Sequence, residues 1–183
     1  AWRARACAVL TGFGTVRDDD PLLDVRLMET PRQPHLVIVD SRLETPPGAR
    51  LFAPRRQVFI YTAMDDPARR AALEARGATV IVLPDAARSR VDLPALLRDL
   101  ARREVNELHV EAGNRLNGAL VGAGLVDECL VYLAPKLIGS GAGMADFGPL
   151  SDLAQAVALE FRSAEPVGPD LRLLARVTGR DRF

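Results

Sequence analysis

Short apolar runs alternate with helical patterns along most of this sequence, and that alternation restricts the folds available to the chain. The runs that we interpret as strands cover residues 7–10, 35–39, 57–61, 79–83, 107–111 and 128–134. Amphipathic helices are predicted over 67–76 and 93–103, and a third helix is predicted to begin near Asn114. Strands that alternate with helices form βαβ units, so the sequence predicts a mainly parallel sheet flanked by helices.

The C-terminal part of the chain follows a different pattern. Residues 156–164 and 170–178 are extended runs, and only the link over 165–169, rich in proline and glycine, separates them. So short a link cannot hold a crossover helix, and these two strands are therefore predicted to pair antiparallel. The expected fold class is α/β, with a mixed, mainly parallel sheet and antiparallel strands at the C-terminus. At 183 residues we expect one domain over 1–183.

Composition excludes several classes of protein. Basic and acidic side chains balance at 24 each, and 48% of residues are hydrophobic, so we expect a globular protein that binds neither nucleic acid nor membrane surfaces. The chain has no apolar run near the roughly 20 residues of a membrane span, and we expect a cytoplasmic protein. Cys7 and Cys129 are expected to be buried free thiols rather than a disulfide or metal pair, and no metal site is predicted.

Ligands of open α/β sheets gather beyond the carboxyl ends of the strands, so the residues that follow each strand are the candidates. Residues 11–15 read Thr-Gly-Phe-Gly-Thr, which fits either a phosphate-binding loop with Thr15 as a cap or a plain tight turn. Of the three aspartates at 18–20, one or two are interpreted as capping or hydrogen-bonding residues rather than metal ligands. After the second strand, Ser41 and Arg42 suit the 2′-phosphate of NADPH, although a surface turn explains them equally well.

The fifth strand ends at an acidic residue. Glu111 is followed by Gly113 and a predicted helix, whose N-terminal N–H groups suit a pyrophosphate. Glu111 is thereby expected at the mouth of a ligand crevice, and a solvated or salt-bridged glutamate is the alternative. In the first case its charge should matter more for turnover than for folding, and Glu111→Gln should cost little stability.

Six motifs occur in one order along the chain. They are Arg3; Thr15-Val16 with Asp19-Asp20-Pro21 and Arg26; Val39-Asp40-Ser41-Arg42; Val110-Glu111-Ala112-Gly113; residues 124–128, Gly-Leu-Val-Asp-Glu; and residues 134–139, Ala-Pro-Lys-Leu-Ile-Gly. In this order they resemble the reductase domain of the bifunctional riboflavin-biosynthesis deaminase/reductase. The resemblance implies a dihydrofolate-reductase-like fold, NADPH as hydride donor and a homodimer, which we expect to bury apolar surface near residues 127–139.

The resemblance also implies roles for individual residues. It assigns NADPH contacts to Thr15, Asp19, Ser41, Gly113, Asn114, Arg115, Leu116, Asn117, Gly118 and Ala119. It assigns substrate contacts to Arg3, the backbone near Leu22, Arg26 and Glu111, and Glu111 is the candidate catalytic residue. Guanidinium groups bind phosphate oxygens in a bidentate way, so the two arginines suit a ribose 5-phosphate.

In the family, a first reductase strand and usually a zinc-dependent deaminase domain precede the residues that correspond to this chain. We therefore expect a reductase domain without its first strand, with a fused deaminase domain upstream as a possible partner, and we assign no deamination to these residues. The implied reaction is reduction of the ribosyl group of 5-amino-6-(5-phosphoribosylamino)uracil to the ribityl form. Two alternatives stay open: an NADPH-dependent reductase of the same fold acting on another small molecule, and a non-catalytic nucleotide-binding dimer domain.

Overall fold

The computed structural model describes residues 2–180. The chain divides into two compact units, Ala1–Gly113 and Asn114–Phe183. Each unit is built around its own sheet, parallel in the first and antiparallel in the second. The predicted fold class is confirmed, and the prediction of one domain over 1–183 stays a prediction.

The first unit contains a five-stranded parallel sheet. Its strands are β1 (Ala8–Gly12), β2 (His35–Val39), β3 (Val58–Thr62), β4 (Ala78–Val82) and β5 (Leu108–Val110), in the order β4-β3-β2-β1-β5. Leu10, Leu36, Ile38 and Ile60 have no exposed surface, because the three central strands are covered on both faces. Their carboxyl ends meet at one edge, which brings the candidate residues after β1, β2 and β5 to that edge.

Two helices of this unit lie where the sequence predicts them, one before β4 and one before β5. The helix α1 (Trp2–Arg5) precedes β1, α2 (Phe13–Asp19) follows β1, α3 (Pro67–Glu74) precedes β4 and α4 (Leu93–Arg102) precedes β5. The carboxylates of Asp66 and Asp92 cap α3 and α4 by accepting from backbone N–H groups at 3.0 and 2.8 Å. Leu96 and Leu100, one turn apart, bury the apolar face of α4.

The segment after β1 differs from its prediction. Residues 11–15 form neither a tight turn nor an open glycine loop, because Gly12 ends β1 and α2 begins at Phe13. Thr15 therefore lies inside a helix instead of capping a turn. Phe13 and Val16, three residues apart, place their side chains toward the core, and this apolar pair was the available signal for a helix.

The second unit begins with α5 (Asn114–Gly122) and continues into a three-stranded sheet. Its strands are β6 (Glu128–Leu133), β7 (Leu159–Val167) and β8 (Asp170–Val177), in the order β6-β8-β7. Both pairings are antiparallel, which confirms the prediction for the last two strands. The link is shorter than expected, because residues 165–167 belong to β7 and only Gly168 and Pro169 form the turn.

Cys7 and Cys129 are both free, as predicted, but each is half-buried rather than buried. Across residues 2–180, no helix has the length and apolar character needed to span a bilayer. In the same part of the chain, no three His, Cys, Asp or Glu side chains are grouped so that they could hold a metal ion.

Candidate functional site

A group of charged residues lies where β5 ends. The Glu111 carboxylate accepts two hydrogen bonds from Arg3, from Nε to Oε1 at 2.5 Å and from Nη2 to Oε2 at 2.6 Å. The third nitrogen of this guanidinium, Nη1, donates to the backbone carbonyl of Asp24 at 2.9 Å. The structure thus joins two residues that the resemblance assigns to substrate, as a bidentate ion pair whose side chains are 26% and 28% exposed.

This pairing fixes the protonation state of Glu111. Burial raises the pKa of the carboxyl, but hydrogen bonds from Arg3 and His109, together with their charges, outweigh it and lower the pKa to about 2. The hydrogen bond to Glu111 is also the main reason why the pKa of Arg3 is raised. At neutral pH the Glu111 side chain is therefore an anionic hydrogen-bond acceptor that carries no proton to donate.

The pair also gives Glu111 a part in folding. A carboxylate with a lowered pKa stabilises the folded state above its ordinary pKa of 4.5, and this contribution is lost as the pH falls from there toward about 2. Glu111→Gln would leave the partly buried Arg3 without its counter-ion. The expectation that this substitution costs little stability did not include the ion pair, and the structure argues for a measurable loss.

Arg26 joins the same network through Asp24, whereas Leu22 is held by a different arginine. The Nη1 of Arg26 donates to Oδ1 of Asp24 at 3.0 Å, and 60% of the Arg26 side chain is exposed. The backbone carbonyl of Leu22 accepts a hydrogen bond from Arg56. Because all three nitrogens of Arg3 donate within the protein, Arg26 presents the more accessible guanidinium to an anion.

A second group of candidate residues follows β2. Asp40 is buried, and its Oδ2 accepts hydrogen bonds at 2.7 Å from both the backbone nitrogen and the hydroxyl of Thr45. The loop between them is thereby fixed, with Ser41 half-buried and Arg42 exposed. Ser41 Oγ accepts from the backbone nitrogen of Val91 at 3.2 Å, which leaves its own hydrogen available to a ligand.

The acidic run after β1 has the predicted local roles. Asp18 pairs with the arginine that precedes it at 2.7 Å, and Asp20 ends α2 with a φ of 40°. Oδ1 of Asp20 accepts from the backbone nitrogen of Arg50 at 2.9 Å. Thr15 and Asp19 lie one turn apart on α2 and share a face of that helix, but their assignment to the cofactor stays a prediction.

The segment 113–119 forms the link to α5 and its first turns. A glycine-rich loop packs on these turns: the backbone nitrogen of Asp146 donates to the carbonyl of Asn114 at 2.9 Å, and Asn117 Nδ2 donates to the carbonyl of Met144 at 3.0 Å. A Cβ at Gly118 would lie 1.9 Å from the carbonyl oxygen of Asp146, so this close approach requires glycine. The NADPH contacts assigned to this segment stay predictions.

Sequence reasoning did not single out His109 or Asp24. His109 Nε2 lies 3.4 Å from Oε1 of Glu111, and Asp24 contacts both Arg3 and Arg26. His109 could have been found, because residues two apart on a strand share a face. Asp24 lies in an irregular segment, where no helix or strand pattern predicts the direction of a side chain.

Comparisons with known proteins identify the family of this chain. The model of the RibD C-terminal domain family matches residues 1–173. Riboflavin biosynthesis protein RibD of Escherichia coli strain K12 is 35% identical over 184 residues, covering 93% of this chain and 49% of that protein. The 5-amino-6-(5-phosphoribosylamino)uracil reductase of Buchnera aphidicola is 25% identical over 186 residues, covering 94% of this chain and 87% of that protein.

A solved structure shows the same fold. Form 2 of Acinetobacter baumannii RibD superposes with a TM-score of 0.82 at 28% identity, covering 97% of this chain and 48% of that chain. The chain spans about half the length of the first curated relatives it matches. On the family match over almost all of its length, the chain belongs to the RibD C-terminal domain family.

Proposed function

We propose that this chain reduces the ribosyl group of 5-amino-6-(5-phosphoribosylamino)uracil to the ribityl form in riboflavin biosynthesis, with NADPH as hydride donor. The observation that carries the proposal is the Arg3–Glu111 ion pair at the end of β5, linked through Asp24 to the exposed Arg26. The resemblance assigns Arg3, Arg26 and Glu111 to the substrate, and the ion pair joins two of them. The names of the relatives support the same reaction.

The reaction takes place on the sugar. Opening of the ribosylamine gives an imine at C1, and addition of a hydride at that carbon and a proton at nitrogen gives the ribityl amine. A reduced nicotinamide supplies the hydride when it is bound. Glu111, ionised by its partners, stabilises the positive charge of the protonated imine or accepts hydrogen bonds from the sugar hydroxyls. A bound water is the proposed proton donor, since Glu111 has no proton to give.

The residues after β2 fit NADPH. The Ser41 hydroxyl keeps its hydrogen for a phosphate oxygen, and Arg42 is exposed beside it. A 2′-phosphate there would gain charge-assisted hydrogen bonds that NADH cannot make. Thr15, Asp19 and residues 113–119 are the further proposed contacts. A nicotinamide cofactor accords with the reductase family, and the choice of NADPH rests on the chemistry of Ser41 and Arg42.

One assay separates this function from its two alternatives. The protein is mixed with NADPH and the phosphoribosylaminopyrimidine, and the absorbance of the reduced nicotinamide is followed. A loss of absorbance that requires this substrate supports the proposal. Oxidation only with a different acceptor would identify another reductase of the same fold, and NADPH binding without turnover on any acceptor would identify a nucleotide-binding domain.

We also propose that the protein forms a homodimer in the cytoplasm, with residues 127–139 in the interface. Tyr132, Leu133, Leu137 and Ile138 are 48 to 104% exposed, an apolar surface that a second copy would cover. The notable alternative is a strand buried on both faces within one subunit, and the exposed ends of β6 favour the dimer over it. Light scattering at micromolar concentration tests the dimer, and a monomeric mass would exclude it.

A further inference from the structure

Arg56, which no motif or family role singles out, holds the backbone that leads into the candidate substrate residues. It precedes β3, and its guanidinium donates to the carbonyl of Leu23 at 2.6 Å and to that of Leu22. A third, longer hydrogen bond reaches the carbonyl of Leu51 at 3.3 Å. These acceptors lie up to 34 residues away in sequence, so one side chain joins two separate segments of the first unit.

The backbone that Arg56 holds is strained. Leu23 has a φ of 49°, a left-handed conformation that a bulky side chain adopts only when its surroundings impose it. Two contacts impose it here, because the Leu23 side chain is buried in the core and its carbonyl is held by Arg56. Without the guanidinium, burial of the side chain alone would have to maintain this bend.

The bend determines where the next residues lie. The carbonyl of Asp24 accepts from Arg3, and the Asp24 carboxylate pairs with Arg26. Beyond Asp24, the backbone of Val25 exchanges two hydrogen bonds with the Gln33 side chain, at 2.7 and 3.0 Å. The short segment that carries Asp24 is thus fixed from both ends, by Arg56 before it and by Gln33 after it.

The charges of Asp24 and Arg3 also act on Arg56. Burial lowers the pKa of Arg56 to about 10, the Asp24 charge opposes this decrease, and the Arg3 charge adds to it. Arg56 is still cationic at neutral pH. Because its terminal nitrogens donate to backbone carbonyls, the guanidinium supports the segment and does not face a ligand.

We propose that Arg56 is a positioning residue for substrate binding, which fixes the bend at Leu23 so that Arg26, beside the Arg3–Glu111 pair, meets the phosphate of the substrate. The inference rests on the proposed function, because it assumes the phosphorylated substrate. It predicts a defect in substrate binding that leaves the cofactor residues Ser41 and Arg42 unaffected. Neither of these residues contacts Arg56 through any hydrogen bond described for residues 2–180.

The test compares Arg56→Lys with Arg103→Lys. Lysine keeps the charge but replaces the planar fork with a single ammonium, which cannot serve the three carbonyls in the same geometry. Arg103 is a matched control, since it is also anchored, to Asp99 at 2.7 Å and over the Phe59 ring, away from the substrate residues. The quantities measured are KM and kcat for the phosphorylated substrate, the Kd for NADPH and the thermal midpoint.

For Arg56→Lys we expect KM to rise about tenfold, with kcat within about twofold of wild type and the Kd for NADPH unchanged. Arg103→Lys should leave KM unchanged. Arg56→Ala should show a larger rise in KM, which millimolar guanidinium ion should partly reverse by occupying the vacated position. A residue with a merely structural role would not show both results, that is, partial rescue of KM by guanidinium ion and an unchanged Kd for NADPH.

Several outcomes would overturn the inference. An unchanged KM in Arg56→Lys, with an active wild type, would refute the role of Arg56 and leave the proposed function intact. Parallel losses of substrate and NADPH binding, or a chain that does not fold, would identify Arg56 as a residue of the fold alone. A wild-type protein that never oxidises NADPH with this substrate would overturn the proposed function and this inference together.

Discussion

The carboxyl ends of β5 and β2 differ in how their charged side chains are paired and buried. At β5, Glu111 and Arg3 face each other and neutralise each other, and both remain partly exposed. At β2, the carboxylate of Asp40 is buried and satisfied within the loop, while Arg42 extends into solvent. One end is a set of mutually paired groups, and the other is a rigid loop that presents a cation.

This difference predicts different responses to substitution. A change at β5 removes one partner of a pair, so it alters both the chemistry and the stability of the protein. Within residues 2–180, the side chain of Arg42 makes no hydrogen bond or ion pair. Its substitution should therefore alter ligand binding alone. Substitution of Thr45, which helps Asp40 to fix the β2 loop, should make the positions of Ser41 and Arg42 less well defined. It removes no group that would contact a ligand.

The largest effect is expected for Glu111→Gln. Loss of the negative charge beside the protonated imine should lower kcat about a hundredfold, the order seen when one preorganised electrostatic group is removed. The unpaired Arg3 should cost about 1 to 3 kcal/mol in the free energy of unfolding. Steady-state kinetics and thermal unfolding at neutral pH measure the two effects separately.

The control for this substitution is Glu107→Gln. Glu107 pairs with Arg5 at 2.7 Å in an exposed position just before β5, so its loss should leave kcat unchanged and cost little stability. The stability difference between wild type and Glu111→Gln should shrink as the pH falls from 4.5 toward about 2, because the wild type then loses the same charge. A wild-type kcat in Glu111→Gln would exclude the catalytic role.

The next effect concerns the cofactor. Each charge-assisted bond to the 2′-phosphate contributes about 1.5 to 3 kcal/mol, so the wild type should prefer NADPH over NADH by about ten- to hundredfold. Arg42→Ala should remove about tenfold of that preference by weakening NADPH alone, and Arg55→Ala, at another exposed arginine, should not. Fluorescence titration with both cofactors gives the dissociation constants, and equal values in the wild type would refute the assignment.

Arg26→Ala should raise KM for the phosphorylated substrate about tenfold, through one lost charge-assisted contact. The Kd for NADPH should hardly change, and a dephosphorylated substrate should be handled equally poorly by wild type and variant. Arg5→Ala removes an exposed, paired arginine from the same end of the chain and serves as the control. If KM for the phosphorylated substrate stays at the wild-type value, Arg26 does not bind the phosphate.

The sequence predicted the strands and the capped helices because those elements carry local signals. Asp92 stands where a helix cap is expected, and the apolar runs mark the buried strands. It also placed Glu111 at the end of a strand, because a strand end is visible in a pattern. The pairing of Glu111 with Arg3 was not visible, because 108 residues separate them and only the folded sheet brings them together. Leu23 was beyond prediction for a related reason: its left-handed backbone is imposed by tertiary contacts, not by its residue type.

The smallest effect is expected for Thr45→Val, which tests the β2 loop without changing Ser41 or Arg42. Valine keeps the shape of threonine and the backbone hydrogen bond to Asp40, and it removes only the 2.7 Å bond from the hydroxyl. Loss of that bond should cost about 1 kcal/mol in the free energy of unfolding, measured by denaturant titration. The Kd for NADPH should rise only about two- to threefold, because the remaining hydrogen bond still holds most of the loop in place.

Thr79→Val, at an exposed threonine of β4, is the matched control and should change neither quantity appreciably. If Thr45→Val lowers stability and leaves both cofactors bound as in the wild type, Asp40 and Thr45 stabilise the fold without organising Ser41 and Arg42. If NADPH binding weakens while NADH binding does not, the buried carboxylate under the loop sets the position of the 2′-phosphate contacts. The second result would make the two strand ends alike in one respect, since each would depend on a carboxylate that accepts two hydrogen bonds from within the protein.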